Sequence, residues 1–212
     1  MLRRELGPVA VMGFARYRLV EGTKPAEFLQ AAVNWQEQFL AKCDGIAMHC
    51  VLGNLDGEFA DAILATDQKS FGLMAEAHPS HPASEPLMGM LDRDSIRLTG
   101  NQLLGGPKEL PSGFSCIEFG TFRPSNGTGF SESGMMAVSD AIEQQYLAGF
   151  SESRAHFMGK VDDGTYSEIA FVETSGAARK ICGGYVGDET CQGLLNMFEP
   201  ETVDLDFWHV LA

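Results

Sequence analysis

Basic residues are scarce in this sequence: 15 Lys and Arg stand against 29 Asp and Glu, for a formal charge of −14. A surface of that sign repels phosphate backbones and anionic headgroups, whose binding needs clustered Lys and Arg, so neither nucleic acid nor a membrane is an expected partner. No run approaches the ~18–20 apolar residues that span a bilayer. Met1–Val11 lacks the long apolar segment of a signal peptide in spite of Arg3 and Arg4, and a cytoplasmic protein is expected. The cysteines, Cys43, Cys50, Cys116, Cys182 and Cys191, are odd in number and form no C-x-x-C or C-x-x-H cluster. That argues against a disulfide framework and a zinc site and for reduced thiols, mostly buried. Also missing are a G-x-S-x-G elbow, a Walker-type phosphate loop, a G-x-G-x-x-G turn after a strand and H-E-x-x-H, which removes the commonest hydrolase, nucleotide and metalloprotease readings.

What is present is a globular composition, 44% hydrophobic and 21% charged. A length of 212 residues suits one large domain or two small ones. An internal repeat decides for two. His49 is followed after six residues by Asp56-Gly57, and His156 after six residues by Asp163-Gly164. The same offset of 107 residues pairs Asp61 with Glu168, Met90 with Met197, Leu98 with Leu205, and Gln38–Ala41 with Gln145–Ala148. Nearer each start the offset is 105, pairing Phe14, Tyr17, Arg18, Gly22 and Thr23 with Phe119, Phe122, Arg123, Gly127 and Thr128. A two-residue insertion ahead of the second copy's first helix accounts for the change.

Each half reads in the same order. Val9–Leu19 and Phe114–Arg123 alternate as half-buried strands. Phe28, Ala31, Trp35 and Phe39 lie at helical spacing, and Met135, Val138, Ile142 and Tyr146 repeat that face. Pro25 suits a first helical turn, and Ser131 or Ser133 suits a cap. Apolar runs flanking Asp56-Gly57 and Asp163-Gly164 predict two hairpins with type I′ turns. A second helical region covers about 68–91 and 176–198, broken at His78-Pro79-Ser80-His81-Pro82 in one copy and at Gly183-Gly184 and Gly187 in the other. Short strands at 95–103 and 202–211 close each half. The expected repeats are residues 1–105 and 106–212, with Leu104–Gly113 as the linker.

A four-stranded sheet with both helices on one face leaves its other face bare, and a second copy is the simplest cover. The order βαββαβ twice, with the His78-Pro79-Ser80-His81 break after a hairpin, resembles the dimeric α+β barrel superfamily, and within it the stress-responsive A/B barrel and antibiotic-biosynthesis-monooxygenase-like families. The fold class this implies is α+β: two tandem ferredoxin-like repeats packed sheet to sheet as an intramolecular barrel, an internal pseudo-dimer open to further homo-oligomerisation. The monooxygenase-like resemblance implies an enzyme, cofactor-free or haem-using, acting on a small apolar molecule. The A/B barrel resemblance implies a non-catalytic, stress-related binding or association protein. Both stay open, and no catalytic residue carries over by motif.

The candidate ligand-binding residues are His49, His156, His78, His81, Trp35, Asp61 and Glu168. His49 and His156 suit a general base, a metal ligand or a polar anchor, or are strand histidines satisfied by a neighbour. A two-residue turn puts Asp61 opposite Leu52 and His49 opposite Leu64, with acid and histidine on opposite faces; a bulged turn brings them to one face. His78 and His81 are expected to be mainly solvated, with a lid or ligand role as the alternative. Trp35 is expected in the core, and Arg18 and Arg123 in ion pairs with the plentiful acids, with binding of an anionic substrate as the alternative. Because only the first half has the His78–His81 pair, any specialised site is expected there.

Overall fold

The computed structural model describes residues 1–125 and 129–212. The expected matches of Gly22 with Gly127 and Thr23 with Thr128 lie outside the described residues. The chain forms two compact units, one of Met1–Gln102, Gly106–Leu110 and Val210–Ala212, the other of Leu103–Gly105 and Pro111–His209.

The first unit comprises β1 (Val11–Leu19), α1 (Pro25–Gln38), β2 (Ile46–Gly53), β3 (Phe59–Ala65), α2 (Gln68–Ala77), α3 (Ser84–Met88) and β4 (Leu91–Leu103). Its strands are antiparallel in the order β4-β1-β3-β2. Pro25 opens α1, where its missing N–H costs nothing. The helix buries Phe28, Ala32, Trp35 and, just past its end, Phe39. Ala32 replaces the expected Ala31, which is only partly buried; the stripe runs at i, i+4, i+7 and i+11. This face packs with Ile46, Val51, Ile63 and Ala65 of the sheet. Each fully buried Phe or Leu contributes roughly 1.5–3 kcal/mol before entropy is counted. Asp67 caps α2 by accepting from Ser70 N at 2.8 Å. The helix stops at Ala77, and a 3-10 turn, His78–Ser80, leads toward α3.

The second unit repeats the order with β5 (Cys116–Phe122), α4 (Glu132–Ala141), β6 (Ser153–Lys160), β7 (Tyr166–Val172), α5 (Ser175–Gly184), α6 (Glu189–Leu195) and β8 (Asp204–Val210). Its strand order is β8-β5-β7-β6, again antiparallel. Ser131 caps α4 through Gly134 N at 3.0 Å, and the helix runs on into one π turn, Ile142–Tyr146. Between α5 and α6 the break falls as a 3-10 turn at Tyr185–Gly187, at the 107-residue offset from the break in the first unit.

Neither hairpin has the expected type I′ turn. In the first, Asn54 N donates to Glu58 O at 3.0 Å, leaving a three-residue loop in which Gly57 alone has positive φ, 79°. The Asn54 side chain accepts from Asp56 N and Glu58 N and takes over the local turn. In the second, Val161 N donates to Thr165 O, and Asp162 Oδ1 accepts from Gly164 N, without positive φ at Gly164. Three-residue loops move both registers by one from the two-residue reading: His49 lies opposite Ile63 and Asp61 opposite Val51. Gly57→Ala is therefore expected to destabilise the protein by about 1 kcal/mol or more, because the turn needs the left-handed region, whereas Gly164→Ala costs under about 0.5 kcal/mol. Urea unfolding of the two variants side by side checks this.

Candidate functional site

The shifted register puts His49 and Asp61 on one face of neighbouring strands, two residues apart along β3. His49 Nε2 is 2.8 Å from Asp61 Oδ1, and His49 Nδ1 is 2.9 Å from Gln36 Oε1 on α1. Tyr17, on β1, donates its hydroxyl to Asp61 Oδ2 at 2.8 Å. His49 is fully buried and Asp61 is 7% exposed. Both carboxylate oxygens and both ring nitrogens thus have partners, as burial of such groups requires. Burial, reinforced by the charge of Asp61, raises the Tyr17 pKa well above the usual phenol range, so Tyr17 stays a donor.

Asp61 and Tyr17 face a cavity of about 400 Å³, walled largely by apolar side chains including Phe71, Met74, Leu87 and Leu91. Trp35 and His78 also line it, whereas His49 stands behind Asp61. Gly13 on β1 makes room for Phe71: a Cβ there would lie 2.4 Å from the ring. His78 is not the solvated residue expected. Its Nδ1 is 3.1 Å from Ser84 Oγ, its Nε2 is 3.4 Å from Met88 Sδ, and its ring stands edge-on to Trp35 with centroids 5.0 Å apart. Burial lowers its pKa, so the imidazole is neutral at pH 7. His81 packs on Phe39, at 4.7 Å, and its Nδ1 accepts from Ala83 N; it is not among the residues around the cavity. Trp35 is both core and cavity wall. Arg18 meets Glu58 at 3.4 Å in an exposed pair of the expected kind.

The second unit carries a parallel cluster. His156 Nε2 is 2.9 Å from Glu168 Oε1 and Nδ1 is 3.3 Å from Glu143 Oε1, and Tyr185 donates to Glu168 at 3.0 Å. Gln36 and Glu143 stand at the 107-residue offset, a third matched pair that the sequence offered and the motif search missed. The tyrosines could not be found that way, since Tyr17 comes from a first strand and Tyr185 from a helix break. Burial opposes a charge on His156, but hydrogen bonds to Glu143 and Glu168 outweigh it and lift the pKa to about 9. Glu118 is pushed up to about 8 by burial and the neighbouring charge of Glu168. Glu118, Tyr185 and Phe198 sit where the first unit has Gly13, His78 and Leu91, and Phe198 stacks on Phe122 at 3.6 Å. The second copy thus fills with larger side chains the positions that border the cavity in the first.

Among the described residues no group of three His, Cys, Asp or Glu could hold a metal ion. The cavity does not fit haem either. Both nitrogens of His49 are engaged behind Asp61, those of His78 face Ser84 and Met88, and among the described residues no Lys or Arg lines the wall to pair with propionates.

Each of the two units is a βαββαβ, ferredoxin-like α+β fold with a buried histidine–carboxylate pair. Over nearly its whole length the chain is similar in structure to a putative monooxygenase from Lactobacillus acidophilus, with a TM-score of 0.65 and 8% identity over 94% of this chain and 93% of that one. It is similar also to an anthrone oxidase-like protein (TM-score 0.61, 14% identity, 98% and 93% covered) and to a haem-binding protein from Thermus thermophilus (0.60, 14%, 96% and 92%). At these identities the likeness is one of fold. No protein-family profile matches the sequence, and no curated protein does. Among the described residues no helix is long and apolar enough to cross a membrane.

The buried titrations of the second unit set the pH dependence of stability. His156 has a folded-state pKa above its ordinary 6.5, so its contribution is complete below about 6.5 and is lost as pH rises through about 9. Glu118 is also raised, from 4.5 to about 8, so folding holds its proton and the cost of ionising it grows over that interval. Both groups make stability fall from pH 6 to pH 9. Glu118→Gln is expected to remove the part below about pH 8 and leave the His156 part, a difference read from urea midpoints across that range.

Proposed function

We propose that the first unit is a small-molecule site and that the protein is a monooxygenase-like enzyme acting on a small, largely apolar substrate without haem. The observation that carries this is Asp61: a carboxylate fixed on both oxygens, at the edge of an apolar cavity of about 400 Å³. Such volume and lining, with a few convergent polar groups, are what small-molecule sites use. Asp61 is the candidate general base, and Tyr17 and His49 are positioning residues that keep its carboxylate aligned. Carboxylates are weak bases, so the hydrogen removed must be unusually acidic, as on a methylene whose carbanion is delocalised through an aromatic ring onto a carbonyl oxygen. The resulting carbanion is oxidised by O2: the methylene becomes a carbonyl, both of its hydrogens leave in water, and the substrate supplies all four electrons. The named resemblances of fold, to a putative monooxygenase and an anthrone oxidase-like protein, support this chemistry.

Anthrone supplies a probe with such a methylene. The purified protein is expected to accelerate conversion of anthrone to anthraquinone with one O2 consumed per product. Asp61→Asn, which keeps size but accepts at one oxygen only and cannot take the proton, is expected to lose about 10²-fold or more of the rate. An oxygen electrode with product analysis decides it. Wild-type turnover no faster than the spontaneous reaction, or a variant as fast as wild type, overturns the reading.

A further inference from the structure

The hydrogen bonds behind Asp61 admit one arrangement of protons, and Gln36 sets it. This residue is half-buried on α1 and lies outside the cavity wall. It presents a single atom, Oε1, to two neighbours: the Met1 nitrogen at 2.8 Å and His49 Nδ1 at 2.9 Å. Met1 is itself fixed beside β2, its nitrogen donating to His49 O at 2.8 Å and its carbonyl accepting from His49 N at 3.0 Å. The Met1 nitrogen only donates, so the side-chain atom facing it is the carbonyl oxygen of Gln36 and not the amide nitrogen. That oxygen in turn requires the proton of the facing ring nitrogen to be on Nδ1. At the other end of the ring, Nε2 is 2.8 Å from Asp61 Oδ1, and bare lone pairs at that distance repel, so a second proton lies between them. With these two protons His49 and Asp61 are neutral as a pair. Neutrality is needed there, because among the described residues no Lys or Arg lines the cavity and an unbalanced charge at an apolar wall is costly. The second unit keeps an acceptor at the matched position, with Glu143 Oε1 at 3.3 Å from His156 Nδ1.

We infer that Gln36 is a positioning residue that holds a proton on His49 Nδ1 and thereby keeps Asp61 free to accept one from the ligand. Its catalytic meaning rests on the reading of Asp61 as the general base; the proton arrangement rests on the geometry alone. Without an acceptor at position 36, an N–H at Nδ1 is buried and unmet, which costs about 1–3 kcal/mol. The pair then stays neutral by leaving Nδ1 bare and carrying the proton on Asp61 instead. A protonated Asp61 takes no proton from a ligand. Gln36 thus acts on the reacting atoms through the imidazole, from behind the cavity.

Nitrogen NMR of the intact protein labelled in its histidine rings reads the arrangement directly, the His49 signals being assigned through contacts with the ring of Trp35, whose centroid is 5.2 Å away. Above neutral pH the wild-type Nδ1 is expected to show the one-bond coupling of a directly attached proton. In Gln36→Leu, which removes the acceptor, that coupling should disappear and Nδ1 should move to the position of an unprotonated imidazole nitrogen. Gln36→Glu, which keeps an acceptor as the second unit does, should retain the coupling. With anthrone as substrate, Gln36→Leu is expected to lower kcat about tenfold with KM within about twofold of wild type. A bare Nδ1 in the wild type, a measurement that needs no variant, overturns the inference. So does a coupling that survives in Gln36→Leu, or an unchanged kcat in that variant. Failure of the wild type to oxidise anthrone overturns the reading of Asp61 as a base and the catalytic role of Gln36 with it, while the nitrogen spectra still decide where the protons lie.

Discussion

A carboxylate and an imidazole buried against each other on adjacent antiparallel strands constrain most of what surrounds them. Neither group tolerates burial unless its polar atoms are satisfied. Asp61 and His49 can meet only if β2 and β3 pair so that the two residues are diagonal neighbours on one face, and a slip of one residue would turn them apart. The hairpin loop, the Asn54 side chain that shapes it and the left-handed Gly57 are in this sense part of the site. So is the end of α1, because the second ring nitrogen needs Gln36. The second unit meets the same demand with Glu168, His156 and Glu143 and the same register.

From that shared frame the two copies diverge. In the first, Gly13 lets Phe71 lie against β1, and the space bordered by Leu91 and His78 is open as a cavity. In the second, the counterparts are Glu118, Ala178, Phe198 and Tyr185, with the larger side chain on the strand and the smaller one on the helix. Replacing Gln36 by Glu143 surrounds His156 with carboxylates and holds its proton firmly, which suits a fixed internal ion pair better than an exchanging one. Burial and the charge of Glu168 likewise hold the Glu118 carboxyl protonated well above the usual carboxylate range. One copy keeps a cavity in front of its acid, and the other fills the matching positions with its own side chains.

Much of this was legible in the sequence because it recurs. The offset of 107 residues exposed His49 with His156 and Asp61 with Glu168, and helical spacing exposed Trp35. Turn geometry was not legible: Asp-Gly between apolar runs suggests a two-residue type I′ turn, yet Asn54 and Asp162 offer side-chain acceptors that stabilise a longer loop instead. On that difference of one residue hung whether acid and histidine met. The strands gave little help, since β2 is buried at every position and so lacks the apolar–polar alternation that fixes a face. Tyr17 and Tyr185 were hidden for another reason: they do one job from unrelated elements, and a repeat search compares only like positions.

Those two tyrosines are coupled to the cavity itself. The buried acid takes a phenol donor in each unit, Tyr17 on the oxygen that His49 leaves free and Tyr185 on the same oxygen that meets His156. Where the first strand supplies it, through Tyr17, the residue at the helix break is free to be His78, which packs on Trp35 and leaves the space in front of Asp61 open. Where the first strand has Phe122, which has no hydroxyl, the donor must come from the break, and Tyr185 reaches in to provide it. Its ring then stands at the 107-residue offset from His78, which lines the cavity of the first unit. Opening or filling the space before the carboxylate is therefore decided by which element carries the phenol, and that requires exchange at both positions together: Tyr on the strand with His at the break, or Phe on the strand with Tyr at the break.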